Sequence, residues 1–288
     1  MEAAPSRTAM IAAVARGHLR LEETPPWVLD DAFALVLVGP AWQELRERLV
    51  SVLSGQVLRE ASAAVCTRSR YAEDRLAAGA FAQYVILGAG LDSFVWRRPD
   101  LLRSLRVFEV DHPASQAWKL ERTRDLALPL SDSRVFVPVD FEAESLQDAL
   151  HAAGLDWSQP TLFSWTGVAP YLTAQAIEST LRTIAGAAAD SEVVFSYLAE
   201  ESVLDDVGKE FIRTYAPLAA SLGEPLQPGA GLWAAGLRRP QSSLAGRAAV
   251  VRRRRARSLP APSRSHRQPG PQYVLALSGG PPGVAARL

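Results

Sequence analysis

The stretch that most constrains the fold of this sequence runs from Tyr84 to Arg97 and reads Tyr-Val-Ile-Leu-Gly-Ala-Gly-Leu-Asp-Ser-Phe-Val-Trp-Arg. Its first four residues are apolar and partly β-branched, which is the pattern of a buried parallel strand. Gly88 and Gly90 then predict a turn without Cβ atoms, and a helix is predicted from Leu91 onward. A strand, a glycine turn and a helix N-terminus together bring backbone close to a nucleotide-like ligand.

The residues around this turn narrow the kind of ligand. A dinucleotide-binding turn has a third glycine at the position that Ser93 occupies here, and Asp92 would repel a pyrophosphate. Both features disfavour an NAD-dependent oxidoreductase. They favour a nucleoside ligand without a pyrophosphate, such as S-adenosylmethionine (SAM), with a purely structural turn as the alternative.

A second strand is predicted from Arg106 to Asp111, and it ends in an acid 21 residues beyond Gly90. In doubly wound nucleotide-binding folds, an acid at this strand tip accepts hydrogen bonds from the ribose hydroxyls. The alternative is an ordinary solvated acid after a strand. Because the glycine turn precedes it at the correct distance, we favour the ribose contact for Asp111.

These two motifs, Val-Ile-Leu-Gly-Ala-Gly-Leu-Asp-Ser (85–93) and Phe-Glu-Val-Asp-His-Pro (108–113), resemble those of a known family. This is the leucine carboxyl methyltransferase-like branch of class I SAM-dependent methyltransferases. The branch includes protein phosphatase carboxyl methyltransferases and carboxyl or hydroxyl O-methyltransferases of polyketide pathways. The resemblance extends over about residues 6–228, and it implies an α/β fold with a doubly wound, Rossmann-like sheet and SAM as the cofactor.

The resemblance also implies further cofactor-binding residues beside Gly88, Gly90 and Asp111. Arg68 matches the arginine that clamps the methionyl carboxylate, with Arg70 as the alternative; a solvated, charged helix start is the competing interpretation. The carboxylate of Asp140 matches the group that accepts from the adenine amine, while the backbone N–H of Phe141 donates to the ring. Asp140 as a helix N-cap is the simpler alternative.

We divide the chain into a helical cap or lid at 1–80, a SAM-binding core at 81–228 and a tail at 229–288. Apolar spacing and breakers predict helices in the cap at 8–20 and 41–58. A second helical run is predicted to follow 27–31 and to extend to about Val38, and a further helix, to about Ala80, follows the charged run 67–74. Further core strands are predicted at 134–139, 161–165 and 192–198. The loop 166–172 has Thr166 where related proteins often have Glu, and its Tyr171 either faces the substrate or packs.

The tail differs in composition from the rest of the chain. Residues 229–288 contain 11 arginines and no lysine, aspartate or glutamate, whereas the whole chain is neutral, so the preceding part has a charge of −11. Within the tail only 272–277 has the pattern of a strand. Proline, glycine and unneutralised charge oppose compaction. We therefore expect most of 238–271 to be disordered and the sheet to be incomplete or poorly covered at this edge, with a frameshifted gene or a polyanionic partner as possible causes.

Composition excludes several classes of protein. A single cysteine, Cys66, rules out internal disulfides and a cysteine-based metal cage, and no His/Asp/Glu set has metal-ligand spacing. No apolar run has the length of a membrane span, and the N-terminus lacks the pattern of a secretory signal. We expect a cytoplasmic protein that binds neither a membrane nor a metal; for nucleic acid, the basic tail is the one hint.

These features predict a SAM-dependent O-methyltransferase that acts on a carboxylate or hydroxyl of a small metabolite. A carboxyl acceptor is favoured because a carboxylate is already a nucleophile, and no residue stands out as the base that a hydroxyl acceptor needs. No catalytic residue is assigned. The alternative is a SAM- or nucleotide-binding protein that has lost its activity.

Overall fold

A computed structural model describes residues 6–198 and 204–227, together with the backbone of 249–251 and 272–278. Four helices come first and are followed by alternating strands and helices. In chain order the elements are α1 (Arg7–Glu22), α2 (Ala34–Val38), α3 (Trp42–Val52), α4 (Gly55–Ala78), β1 (Gln83–Leu87), α5 (Phe94–Arg97), β2 (Arg106–Asp111), α6 (Pro113–Asp125), β3 (Arg134–Pro138), α7 (Leu146–Ala152), β4 (Thr161–Trp165), α8 (Ala174–Ala185), β5 (Glu192–Leu198), α9 (Asp206–Ser221), β6 (Ala249–Val251) and β7 (Gln272–Ser278).

The strands form one sheet in the order β3-β2-β1-β4-β5-β7-β6. The first five in this order are parallel. Every residue of β1 and β4 is buried, as expected for central strands with helices on both faces. The strand order reverses between β1 and β4, and ligands of such sheets bind beside this switch point at the carboxyl ends of the strands. The predicted doubly wound, Rossmann-like class I methyltransferase sheet is confirmed.

Alternate side chains of β1 enter the two cores on either side of the sheet. Val85 and Leu87 pack on one face with residues of β2, β4, α7 and α8, including Leu150. On the other face, Tyr84 packs with residues of α4 and α5, including Phe94. This alternation fixes β1 in register, so the glycine turn that follows it begins at the carboxyl edge of the sheet.

A third apolar cluster joins the cap helices. Residues of α1, α3 and α4, among them Val14, Leu49 and Leu58, pack against Phe211 and Leu218 of α9. The cap therefore includes α9, which follows β5 in the chain, in addition to the predicted helices of the first 80 residues. No helix in the part of the chain that the structure describes is long and apolar enough to cross a bilayer.

The helix boundaries of the cap differ from those predicted. The predicted helix 8–20 matches α1 and the run predicted to end near Val38 matches α2, but the predicted helix 41–58 breaks after Val52. The break occurs because Leu53 is extended and the Ser54 side chain accepts a hydrogen bond from the Val57 amide, which starts α4. The run 67–74 was expected to precede a helix, but it lies inside α4, since no breaker occurs between Gln56 and Ala78.

At the other edge of the sheet, the predicted strand in the tail is confirmed. β7 pairs antiparallel with β5, and β6, which was not predicted, pairs parallel with β7. The expectation of an incomplete sheet is therefore wrong, because β6 and β7 bring the sheet to seven strands, whereas the alternative of a poorly covered edge stays a prediction. We also expected most of 238–271 to be disordered. Of these residues, 238–248 and 252–271 lie outside the described part of the chain.

Candidate active site

A cavity of about 310 Å³ lies between the cap and the carboxyl ends of β1, β2, β3 and β4. The glycine turn, Asp111, Asp140 and the loop after β4 line its sheet side. Its cap side is lined by α1, α3, α4 and α9. The topology therefore places the predicted site residues around one space, at the position where open α/β sheets bind their ligands.

The glycine turn approaches the cavity closely because neither glycine has a side chain. Gly88 and Gly90 have positive φ angles of 69° and 44°. A Cβ atom on Gly88 would lie 2.1 Å from a methyl carbon of Val168, and one on Gly90 would lie 2.9 Å from the Cβ of Ala9 in α1. Glycine is therefore required at both positions, for its backbone conformation and for the close contact with neighbouring elements.

Asp111 lies at the tip of β2, where its carboxylate is fixed by two backbone donors. The Gly90 amide donates to Oδ2 at 2.5 Å, and the His112 amide donates to Oδ1 at 2.7 Å. A carboxylate accepts about four hydrogen bonds, so acceptor capacity remains for hydroxyl groups in the cavity. Burial raises the pKa of Asp111, and the two amide donors act in the opposite direction.

Asp140 and Phe141 follow β3, and both line the cavity. Asp140 Oδ1 accepts from the Glu142 amide at 2.9 Å, which forms a tight turn. Asp140 does not cap α7, because that helix begins at Leu146 with Ser145 as its N-cap. The simpler alternative for Asp140 is thus wrong, and the Phe141 ring packs against the core beneath the cavity.

The structure separates the two candidate arginines of α4. Arg68 is 7% exposed and lines the cavity, and its guanidinium lies where a Cβ atom on Gly167 would be, 2.4 Å from Nη2. Arg70 lies on the surface, where its Nε donates to Asp74 at 2.7 Å. Burial lowers the pKa of Arg68 to about 10, so its side chain is a cation at neutral pH. The cavity therefore presents a guanidinium, as an anionic ligand group requires.

The residues at the sheet edge fit an adenosine-bearing ligand. They provide a backbone turn with glycine at 88 and 90, and the Asp111 carboxylate, which can accept further hydrogen bonds. They also provide a second acid, Asp140, after the next strand and the buried guanidinium of Arg68. In the described part of the chain, no group of three or more His, Cys, Asp or Glu residues could hold a metal ion. Cys66 is buried, and burial raises the pKa of its thiol to about 12, so it is not a nucleophile.

Behind the turn lies an ion network that the sequence pattern did not reveal. Ser93, which stands at the third glycine position, donates from Oγ to Oδ1 of the buried Asp31 at 2.7 Å. Arg16 Nε donates to the other oxygen of Asp31 at 2.7 Å, and its Nη2 donates to the Leu91 carbonyl at 2.7 Å. The serine thus ties the turn to α1. No local signal predicts this, since Asp31 and Ser93 are 62 positions apart.

Three polar residues that line the cavity were also missed or left open. The hydroxyls of Tyr171 and Tyr215 lie 3.2 Å apart, and Glu224, which follows α9, lines the cavity beside them. Tyr171 packs in the cap cluster and also lines the cavity, and its contact with a substrate stays a prediction. Thr166 and Gly167 complete this wall, and the Gly167 amide donates to Ser196 Oγ at 2.8 Å.

Known proteins resemble both the sequence and the fold. YktD of Bacillus subtilis, provisionally named an S-adenosyl-L-methionine-dependent methyltransferase, is 32% identical over 248 residues, which are 77% of this chain and 80% of YktD. Rv1729c of Mycobacterium tuberculosis, with the same provisional name, is 31% identical over 65% of this chain and 62% of its own. A DUF574 family protein from Streptomyces avermitilis superposes with a TM-score of 0.55 over 80% of this chain and 81% of its own. At 14% identity, that likeness shows a shared fold.

The leucine carboxyl methyltransferase family matches residues 9–185. This segment includes α4 with Arg68, the glycine turn, Asp111 and Asp140, whereas Tyr215 and Glu224 lie beyond it. The match covers more than half of the chain, and its motifs surround one cavity. This chain therefore belongs to the leucine carboxyl methyltransferase family of SAM-dependent methyltransferases.

Proposed function

We propose that this protein transfers the methyl group of SAM to an oxygen of a small organic acid or hydroxyl metabolite. The observation that supports this most is the continuity of one cavity, which has the cofactor motifs of the family at the sheet edge and a largely apolar chamber under the cap. A space of about 310 Å³ suits small molecules. By analogy with the polyketide branch of the family, we place the acceptor in secondary metabolism and the reaction in the cytoplasm.

Each cofactor residue has one role in this proposal. Asp111 accepts hydrogen bonds from the ribose hydroxyls, and Gly88 and Gly90 let the backbone approach the nucleoside. Asp140 accepts from the adenine amine, and the Phe141 amide donates to the ring. Arg68 pairs with the methionyl carboxylate, and the burial of this guanidinium strengthens such a pair.

The chemistry is an in-line displacement, for which SAM supplies a sulfonium-bound methyl group. The protein contributes mainly by aligning the two reactants and excluding water, since bound reactants in attack geometry avoid the bimolecular entropy cost. The cap supports this role, because α1, α3, α4 and α9 enclose the side of the cavity opposite the sheet. A carboxylate acceptor would need no base, whereas a hydroxyl acceptor would.

Calorimetry with SAM, S-adenosylhomocysteine and NAD tests the assignment of the cofactor site. We expect both sulfur nucleosides to bind and NAD not to bind. Asp111→Ala should weaken binding by about 2–3 kcal/mol, because two hydrogen bonds to a charged acceptor are lost. Asp140→Ala should cost less, because the backbone contact from Phe141 survives.

NAD binding without a response to either sulfur nucleoside would refute the proposal. Equal affinity of the wild type and Asp111→Ala would refute the placement of the ribose. Tight binding of S-adenosylhomocysteine with no methyl transfer to any acid or hydroxyl compound would favour the inactive binding protein instead.

A further inference from the structure

The N-terminal end of α1 lies against the cofactor motifs. Ser6, Thr8 and Ala9 line the cavity at this end. A Cβ atom on Gly90 would lie 2.9 Å from the Cβ of Ala9 and 4.0 Å from Oδ2 of Asp111. The first turn of α1 therefore meets the glycine turn beside the carboxylate that the proposed function assigns to the ribose. A cofactor bound by these groups would be covered on one side by α1.

The carboxylate of Glu224 holds this end of α1. Its Oε2 accepts from Ser6 Oγ at 2.8 Å and also from the Thr8 hydroxyl, and its Oε1 accepts from the Arg7 amide at 2.8 Å. We call these three hydrogen bonds the closing contact. A negative charge is favoured at a helix N-terminus, because the first amides have no partner within the helix. The closing contact therefore stabilises the first turn of α1 in its observed position.

Glu224 is itself held in place on two sides. Gly223 follows α9 with a positive φ angle of 81°, and the Glu224 amide donates to the Ala219 carbonyl at 3.1 Å. Three residues further on, the Gln227 amide donates to the carbonyl of Pro170, in the loop after β4, at 2.5 Å. The carboxylate is thus positioned by α9 and by the loop that lines the sheet side of the cavity.

The two ends of the cavity-lining part of α1 are held by contacts of different kinds. Arg16, further along the helix, is in a buried ion pair with Asp31 at 2.7 Å. The first turn is held by the closing contact and by a hydrogen bond from the Ser6 amide to Ser115 Oγ at 3.2 Å. Glu224 is partly exposed, so water can replace its three donors when they separate. The first turn can therefore open locally while the rest of α1 stays in place.

We propose that Glu224 is a positioning residue that holds the first turn of α1 over the bound cofactor, and that SAM enters and S-adenosylhomocysteine leaves when the closing contact opens. This inference rests on the proposed function. A closed cover excludes water during methyl transfer, whereas exchange of the cofactor requires an open one. All four residues of the closing contact lie outside the segment 9–185 that matches the family, so the family match does not supply this role.

The first test measures the rates at which S-adenosylhomocysteine binds to the full chain and leaves it, by stopped-flow fluorescence. Glu224→Ala should raise the dissociation rate constant by at least about tenfold, because three hydrogen bonds to a charged acceptor are lost. The association rate constant should rise as well, so Kd should change less than the dissociation rate constant. Glu22→Ala is the matched control, because Glu22 pairs with Arg46 at the other end of α1, and it should keep the wild-type rates.

The second test uses the other side of the closing contact. Thr8→Val keeps the shape of the side chain but removes the hydroxyl, so it should raise the dissociation rate constant by at least about threefold. In the Glu224→Ala background the same substitution should have little further effect, because its partner is already absent. Fully additive effects of the two substitutions on this rate constant would contradict the inference.

The outcomes separate this inference from the function on which it rests. A wild-type chain that does not bind S-adenosylhomocysteine refutes the proposed function. A wild-type chain that binds it, with an unchanged dissociation rate constant in Glu224→Ala, refutes only the inference. Weaker binding of Glu224→Ala that comes from slower association, with a lower midpoint of urea unfolding, would mean that Glu224 acts through the fold and would also refute the inference. If Glu224→Ala does not fold, Thr8→Val decides alone, since an unchanged dissociation rate constant in that variant refutes the inference.

Discussion

Arg68 and Arg70 are two positions apart on one helix but have different surroundings. Side chains two positions apart in an α-helix differ by about 200° in direction around the helix axis. Arg68 therefore lines the cavity, whereas Arg70 lies on the surface. The sequence pattern identified the pair but could not choose between them, because the helix was expected to begin after this run. The phase of α4, set by its start at Ser54, separates the two environments.

Exchanging these arginines for lysine tests the role of each. Arg68→Lys should weaken SAM binding by about tenfold, because lysine keeps the charge but cannot form the two parallel hydrogen bonds of a guanidinium. Adenosine, which lacks the methionyl carboxylate, should bind both proteins equally. Calorimetry of the two ligands measures this, and Arg70→Lys should behave as wild type. An equal loss for adenosine would mean that Arg68 acts through folding.

Other single residues were predictable to different extents. Gly88, Gly90 and Asp111 were selected from local spacing, because the turn and the strand tip each involve neighbours in the chain. Glu224 was not, because its donors on Ser6 and Thr8 are more than 200 positions away. A contact of that kind depends on how α1 and α9 meet, which no local pattern encodes.

At the scale of elements, the ion network behind the glycine turn joins α1, α5 and the turn itself. Asp31 is 1% exposed, accepts from Ser93 Oγ and pairs with Arg16 at 2.7 Å and Arg97 at 3.7 Å. Burial alone would raise the pKa of Asp31. The charges of Arg16 and Arg97 and the hydrogen bond from Ser93 outweigh burial and hold this pKa below its ordinary value of 3.8.

Asp31→Asn should therefore destabilise the protein in a pH-dependent way. At neutral pH the free energy of unfolding should fall by about 3–5 kcal/mol, because the buried Arg16 guanidinium loses its charge partner, whereas Arg97 keeps its ion pair with Glu73. A lowered pKa in the folded state stabilises above the unfolded value of 3.8, and this contribution is lost as the pH falls below 3.8. The difference between wild type and Asp31→Asn should thus shrink in that acidic range.

Urea unfolding between pH 7 and pH 3 measures this difference. Asp30→Asn is the matched control, since Asp30 pairs with Arg20 on the surface, and it should cost less than about 1 kcal/mol. A constant difference between wild type and Asp31→Asn over the whole pH range would contradict the ionised state of Asp31. Asp31 and Ser93 are far apart in the sequence. For this reason Ser93 could be recognised as the residue at the third glycine position, but not as the residue that links the turn to Asp31.

At the scale of the whole molecule, the cavity lies between two layers that the chain builds separately. The parallel sheet could be predicted because each strand is a short apolar run between breakers. The cap was only partly predictable, since α9 joins α1, α3 and α4 from the other side of the core. β6 was missed because its three residues, Ala249–Val251, are too few for a pattern to emerge from the arginine-rich tail.

A ligand that bridges the two layers should stabilise both together. S-adenosylhomocysteine at 100 times its dissociation constant should add about 2.7 kcal/mol to the free energy of unfolding. For a chain of this size, that corresponds to a rise in Tm of about 5–10 °C. Differential scanning calorimetry checks the shift, with NAD as the control ligand that should leave Tm unchanged. An unchanged Tm with S-adenosylhomocysteine would show that this cavity does not bind it.

The 24-residue length of α4 has a consequence for how this sequence can change. Near the end of the helix, Arg75 donates to the Glu192 carboxylate of β5 from Nε at 3.0 Å and from Nη2 at 2.7 Å. Arg68, which lines the cavity, lies two turns earlier in the same helix. Inserting one residue between them would turn one arginine by about 100° relative to the other. The number of residues between these two arginines is therefore fixed by the positions of the cavity and of Glu192. An insertion or deletion between Arg68 and Arg75 should therefore separate the cavity contact from the contact with the sheet.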